Sequence, residues 1–387
     1  MVITIRQQEG DMNLFYDIQH QILKLIIGSL LFVYLLCNPQ ISAEPYISFK
    51  TQQACVSCHV NPSGGGMRTT NGNAYGYLQL PETASDANNF DFARINDFIK
   101  FGGDLRYDFE TINDDVSGEN RNSFNVQSAQ IYMEIKAGRD DLSIYLDSQV
   151  APGSAINREV FIIKRFKDGD YLKIGKMIPQ LGLRIEDDNA FIRQVTGFNF
   201  DNSDNGVEYG LATSFALYNL FITNGTSSVS NDDNKFQIGA RAELYFEELR
   251  LGGAFVYNDG DQTDRQILAL FAGYHWGDFT FLAEADAIKS EINDIGGITN
   301  NQSVTELVGL VELNYEMNRG HNIKITSEYH DPDDDFREDH EIRHSLIYEY
   351  TPYSNIQLRF GYRSREAPPQ QAIQNVNRLF VQTHFYF

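Results

Sequence analysis

Five consecutive residues, Cys55-Val56-Ser57-Cys58-His59, bring together two thiols and an imidazole at a spacing that can do redox chemistry. Two thiols three positions apart can each form a thioether to one edge of a porphyrin, and the histidine that follows can reach the iron as its proximal ligand. The pattern is the attachment site of a c-type haem. A Cys-x-x-Cys pair also occurs in redox disulfides and as half of a zinc site. Zinc would need two more ligands nearby, and the next histidine downstream is His275. A disulfide motif does not require the adjacent histidine. One covalent haem c, tethered by Cys55 and Cys58 and ligated by His59, accounts for all three residues.

The residues after the motif bear on the same ligand. Pro62 and Gly64-Gly65-Gly66 make an irregular loop that can pass close to a flat group. Met67 is the methionine near the motif, and a thioether is a good second axial ligand that raises the potential relative to two histidines. Met67 could instead pack on the haem face. A histidine from a later strand could compete for the iron if the chain folds back over it. Asn71-Gly72-Asn73-Ala74-Tyr75-Gly76-Tyr77-Leu78 closes the segment, and a polar linker follows near residues 82–90. So short a segment is too small to stand alone. Either the haem supplies its core or a larger body encloses it.

That body is the rest of the chain. The protein has 387 residues, 13% of them aromatic, with frequent Gly and scarce Pro, a mixture that suits many strands joined by polar turns. Its formal charge of −22 excludes binding to nucleic acid or an anionic surface through bulk charge. It should gather cations instead. Of three cysteines, Cys37 lies in the leader and the other two in the motif, so no structural disulfide is expected.

Residues 1–43 read as a secretory signal peptide. Lys24 precedes the apolar run Leu25–Leu36, which is short for a membrane span, and Ile41-Ser42-Ala43 follows as a small-residue cleavage site. Met12 is a candidate start that would remove acidic residues unusual in a leader. Residues 44–96 are the haem segment and its linker, and 97–387 are expected to form the main body.

From Phe98 onward the pattern has period two. Phe101, Leu105, Tyr107 and Phe109 alternate with Asp104, Arg106, Asp108 and Glu110; Ile356, Leu358, Phe360 and Tyr362 oppose Gln357, Arg359 and Arg363. Tight polar turns at Gly138-Arg139-Asp140, Asp168-Gly169-Asp170, Gly277-Asp278 and Asn318-Arg319-Gly320 take turns with longer loops at 112–122, 184–203, 224–234, 288–302, 331–339 and 364–375. A last strand alternates Leu379, Val381, Thr383, Phe385 and Phe387 with Phe380, Gln382, His384 and Tyr386. Together these predict an all-β fold, a transmembrane antiparallel β-barrel of about sixteen strands in the bacterial outer membrane, with tight turns on the periplasmic side and long loops outside. The lumen would carry charges of both signs, among them Arg106, Glu134, Arg241, Glu284, Glu328, Arg343 and Arg359. These would pair across the barrel and could also hold the haem segment inside it. The loops are acidic, with Asp187-Asp188 and Asp331–Asp339 among them; carboxylates suit hard cations, but no run has EF-hand spacing.

A short leader, one Cys55-x-x-Cys58-His59 segment preceded by Ser48-Phe49-Lys50-Thr51 and followed by Ala74-Tyr75-Gly76, then a large barrel, resembles the fused monohaem cytochrome–porins of iron-oxidising bacteria. The aromatic-Gly-Arg element that follows the motif in that family is replaced here by Gly64-Gly65-Gly66-Met67-Arg68. The resemblance implies a haem segment in or under the barrel. It implies electrons taken from an extracellular partner such as Fe²⁺ and passed to periplasmic carriers, as in an Fe(II)-oxidising cytochrome. A diffusion porin whose haem segment is a plug or sensor is the competing expectation, and a subunit that needs a separate multihaem partner is a third.

Overall fold

The computed structural model describes residues 45–85, 94–114, 118, 120–139, 141–226, 230–292, 302–368 and 375–387. The expected signal peptide lies outside the described residues. Residues 45–85 and the strands belong to one compact unit.

The strands are β1 (Ile99–Asp114), β2 (Asn120–Arg139), β3 (Leu142–Ala151), β4 (Ile156–Arg165), β5 (Tyr171–Met177), β6 (Asp204–Ala212), β7 (Ala216–Thr223) and β8 (Gln237–Phe246). They continue as β9 (Leu249–Asn258), β10 (Thr263–Trp276), β11 (Phe279–Ile292), β12 (Gln302–Asn318), β13 (His321–Asp331), β14 (Glu341–Tyr353), β15 (Ile356–Glu366) and β16 (Val376–Tyr386). Each pairs antiparallel with its sequence neighbours, and β1 pairs with β16, Leu105 opposite Phe385, so the sheet closes into a sixteen-strand barrel. Closure leaves no edge carrying unpaired backbone groups, as a strand structure in lipid requires. No helix among the described residues is long and apolar enough to cross a membrane.

The period-two pattern sorts residues as expected. On β16, Leu379 is 59% exposed and Phe385 43%, whereas Phe380, Gln382, His384 and Tyr386 are buried. Leu268 and Leu270 of β10 and Val311 of β12 also face outward. Trp276, Phe279 and Tyr315 stack on one another, with ring centroids 6.3 and 4.7 Å apart, at the tight-turn end of β10–β12. An apolar belt with aromatic residues at its rim is the surface a lipid bilayer covers. Tight turns follow β2, β4, β6, β8, β10, β12 and β14, while the connections after β5, β7, β11, β13 and β15 are long.

The lumen is filled from both ends. Residues 45–85 occupy it from the tight-turn end, where Glu82 N–H donates to the Thr351 carbonyl (2.8 Å) and Ser354 Oγ to the Tyr77 carbonyl (2.7 Å). Residues 178–203, between β5 and β6, also fold inward. This corrects the expectation that 184–203, with Asp187 and Asp188, is an outside loop. The reason is hydrophobic. Leu181, Leu183, Ile185, Phe191 and Ile192 are buried against Phe221, Val256, Ile267, Phe271, Leu282, Val308 and Leu310, which are lumen-facing residues of β7 and β9–β12. Along β10 both faces are therefore apolar.

Elsewhere the lumen wall is charged, and many of its charges are paired. Arg343 meets Glu328 at 2.6 Å, Arg378 meets Asp108 at 2.8 Å, and Lys324 meets Glu349 at 3.4 Å. Lys173 and Glu208 are both wholly buried and 2.8 Å apart. Lys173 Nζ also donates to Ser63 Oγ at 2.7 Å, tying the wall to the inner segment. Removing one partner of a buried pair leaves an uncompensated charge and costs about 3–5 kcal/mol. Lys173→Met should therefore lower the urea midpoint of the detergent-solubilised barrel, and adding Glu208→Leu should recover most of the loss.

Candidate functional site

The short helix Pro45–Thr51 begins on a proline, whose missing N–H costs nothing at the first helical position. Arg250 fixes it, donating from Nη1 to Ser48 Oγ (2.9 Å) and from Nη2 to the Ser48 carbonyl (2.8 Å). Phe49 fills the space left by Gly273 of β10, where an added Cβ would lie 2.2 Å from its ring. The chain then tightens into a 3-10 turn at Cys55–Ser57, with Cys58 N–H and His59 N–H both donating to the Cys55 carbonyl at 3.1 and 2.9 Å. Cys55 and Cys58 form no disulfide.

Side chains of the wall hold the next residues. Arg165 Nη2 donates to the Val60 carbonyl (2.9 Å), and Asn61 Nδ2 donates to Glu159 Oε2 (2.8 Å). The chain doubles back through Gly64, Gly65 and Gly66, at φ of 88°, 72° and 62°. This is the left-handed region that glycine enters without penalty. Arg68 thereby pairs antiparallel with His59, and Thr69 N–H donates to the Cys58 carbonyl at 2.9 Å. Thr69 caps the helix Thr70–Ala74, accepting from Gly72 N–H at 3.2 Å. A Cβ on Gly72 would lie 2.2 Å from the Cys58 carbonyl oxygen, so this glycine lets the helix press against the motif.

Cys58 and His59, 1% and 8% exposed, line a cavity of about 430 Å³ inside the barrel. Tyr46, Ile47, Tyr75 and Leu80 are among its apolar lining, and its charged lining mixes Arg68, Arg158, Arg184 and Arg193 with Asp104, Glu186, Asp188 and Asp201. Arg184 comes from the inward loop and lies near the motif: a Cβ added to Gly64 would meet Cys55 Sγ at 3.2 Å and Arg184 Cδ at 4.0 Å. The volume lies in the range of small-molecule and cofactor sites. Cys58, His59 and the arginines of this partly apolar space are groups that a tethered haem with anionic carboxylates would use; Cys55 does not line the space and lies near Glu243, Arg241, Arg250 and Arg184.

Met67 is also buried, but in a different environment. It packs with Val60, Tyr132, Tyr145 and Phe161, and its N–H donates to Tyr145 Oη at 3.2 Å. His384 of β16 lines the cavity itself, with Nε2 2.5 Å from Asp104 Oδ2 and its ring 5.1 Å from that of Tyr386. Arg68 lies over Tyr386 at 4.2 Å. The alternation on β16 already set His384 opposite Phe385; only barrel closure brings it beside the motif. Arg158 and the arginines of residues 178–203 had no cue in the sequence as part of this site.

The inward loop is pinned by charge. Glu186 accepts from Arg359 at 2.8 Å and from Arg106, while Asp187 meets Arg363 and, at 3.7 Å, Arg343. Burial alone would raise the Asp187 carboxyl; Arg363 and Arg343 outweigh it and hold the group well below the usual carboxylate range. At Asp188 burial wins over Arg193 and pushes the carboxyl up, and burial brings the Arg193 guanidinium down to about 10.

No protein-family model matches the sequence, and neither does any curated protein. Solved structures do match in fold. A loop-L8 deletion mutant of OmpT, an outer membrane protein of Vibrio cholerae, superposes with a TM-score of 0.56 at 12% identity, covering 75% of this chain and 99% of that one. An anion-selective porin from Comamonas acidovorans gives 0.55 at 12% identity, with the same two coverages. The outer membrane channel DcaP of Acinetobacter baumannii gives 0.54 at 12% identity, covering 75% and 97%. The fold is that of bacterial outer-membrane porins.

A depressed native carboxylate stabilises the state that holds it above its ordinary range, and that stabilisation is lost as pH falls through the native value. The Asp187 clamp should thus hold at neutral pH and release only in strong acid. Asp187→Asn should raise single-channel conductance at neutral pH, where the unmodified protein shows no such rise until the pH drops below the ordinary carboxylate range.

Proposed function

We propose that this protein is an outer-membrane electron conduit, a porin-type barrel that carries one c-type haem in its lumen. The observation that carries the proposal is that Cys58 and His59 line a cavity within the barrel, where a soluble haem domain appended to a porin would leave them outside. Cys55 and Cys58 would tether the haem and His59 would ligate it. For the second axial position the chain offers Met67, packed beneath the same loop, and His384, which lines the cavity. A haem bound there supplies a one-electron iron couple within the thickness of the membrane.

The remaining parts of the chain make that position useful. An electron does not cross the apolar band of a bilayer unaided, and the closed wall keeps lipid away from the site. Residues 45–85 and 178–203 occupy the lumen that a diffusion porin keeps open, which favours the conduit over solute transport. Outer-membrane barrels turn their tight turns to the periplasm. The haem segment then faces the side where periplasmic carriers would exchange electrons. The resemblance to cytochrome–porins gives the direction, from an extracellular donor such as Fe²⁺ inward. A formal charge of −22 would concentrate such a cation near the outer loops.

Cys58→Ala should abolish covalent haem staining and whole-cell redox activity while the barrel still assembles in the membrane. Unchanged redox activity in that variant would refute electron transfer. A planar-bilayer recording separates the competing reading, because the conduit should show a closed or barely conducting lumen and a diffusion porin a steadily open one.

A further inference from the structure

Arg158, on β4, is 2% exposed, and among the described residues it makes no hydrogen bond and no ion pair. Its guanidinium lies over the Phe200 ring, 3.4 Å from the centroid, and borders the cavity that holds Cys58 and His59. Two more guanidinium groups gather on the same ring, Arg193 at 4.6 Å and Arg184 at 5.1 Å. Arg184 gives Nη2 to Glu159 at 3.2 Å, and its Nε and Nη1 have no partner. Arg193 is paired with Asp188 at 2.8 Å and donates Nη1 to the Ile185 carbonyl at 2.7 Å, which leaves Nε without one. The nearby carboxylates do not answer Arg158. Glu159 is taken by Arg184, Asn61 and the Ile178 N–H, and Asp188 by Arg193 and the Phe200 N–H; Asp147, on which Arg158 is the strongest charge, leaves its Oδ1 without a hydrogen bond.

A buried guanidinium whose N–H groups are left unsatisfied is unfavourable, and the arginine fork suits a planar carboxylate. We infer that Arg158, flanked by Arg184 and Arg193 around Phe200, is a carboxylate-binding site, and that its occupant is a carboxylate of the tethered haem. The assignment of the occupant rests on the function proposed above; the site itself does not. A free small dicarboxylate entering the lumen has the same chemistry and is the other source. Arg158 is a positioning residue in this scheme, since it meets the periphery of the haem and not the iron. Its positive charge favours the reduced, more negative state.

The test uses the full chain in detergent, as produced in a haem-attaching host. Arg158→Gln should leave the haem covalently bound and shift its midpoint potential downward, with Arg158→Lys shifting it less. In the haem-free Cys55→Ala/Cys58→Ala protein, added succinate should raise the unfolding midpoint, and Arg158→Gln should remove that response. The haem-loaded protein should not respond to succinate, because the site is filled. If the loaded protein does respond, and Arg158→Gln abolishes the response without moving the potential, the site holds a free carboxylate and the haem assignment is overturned. If Arg158→Gln alters neither the potential nor the succinate response, there is no carboxylate site. The same conclusion follows if it merely lowers the unfolding midpoint of the haem-free protein with the succinate response intact, as loss of a structural charge would. A protein that carries no haem at all defeats the proposed function, but the succinate arm still decides the site.

Discussion

Lipid offers nothing to a polar group, so everything polar in this molecule has to be answered from inside the ring of strands. The backbone is answered by closure, β1 against β16. Most inward side chains are answered by one another and by the two stretches of chain that enter the lumen, and the match is made by sector. Arg106, Arg359, Arg343 and Arg363 on β1 and β14–β15 face the acidic residues Glu186 and Asp187 of the inward loop. The apolar wall of β9–β12 faces Phe49, Leu181, Leu183 and Phe191. Lys173, Glu159 and Arg165 on β4 and β5 reach Ser63, Asn61 and the Val60 carbonyl. Each sector of the wall thus selects the part of the chain that lies against it.

This selection explains why the Cys-x-x-Cys-His segment needs no fold of its own. Its helices are a few residues long and could not persist alone in water. Arg250, Arg165 and Lys173 supply the hydrogen bonds that a small domain would have to make internally. The barrel is the scaffold and the segment is its lining. A space remains beside Cys58 and His59, lined by Tyr46, Tyr75 and Leu80 and by several arginines. Its apolar residues and its arginines would suit an amphiphilic ligand with a hydrophobic body and an anionic edge, while Asp104, Glu186, Asp188 and Asp201 also border it.

In the proposed conduit, the same arrangement separates two tasks that conflict in an ordinary porin. An open lumen admits water and solutes, while a site for charge transfer is best kept dry so that the surroundings reorganise little. Here the inward loop and the N-terminal segment together take the volume that would otherwise conduct. The loop is held by buried ion pairs, which tolerate little displacement before charges are left unanswered.

Much of this was legible in the residues. The period of two over 98–387 established strands with one apolar and one charged face, which a sandwich also has; the tight turns alternating with long loops are what pointed to a barrel. The spacing of Cys55, Cys58 and His59 specified the chemistry offered, since it is a property of five adjacent residues. The inward turn of 178–203 was not legible. Its residues look like any loop between two strands, although the continuous apolar run Ile267-Leu268-Ala269-Leu270-Phe271 marked a wall apolar on both faces. Nor could spacing bring His384, Arg158 and Arg184 beside residues 55–59. Those separations along the chain are bridged only by closing the ring and filling it, and the choice of which loop fills which sector is decided by complementarity between surfaces that exist only once the barrel has formed.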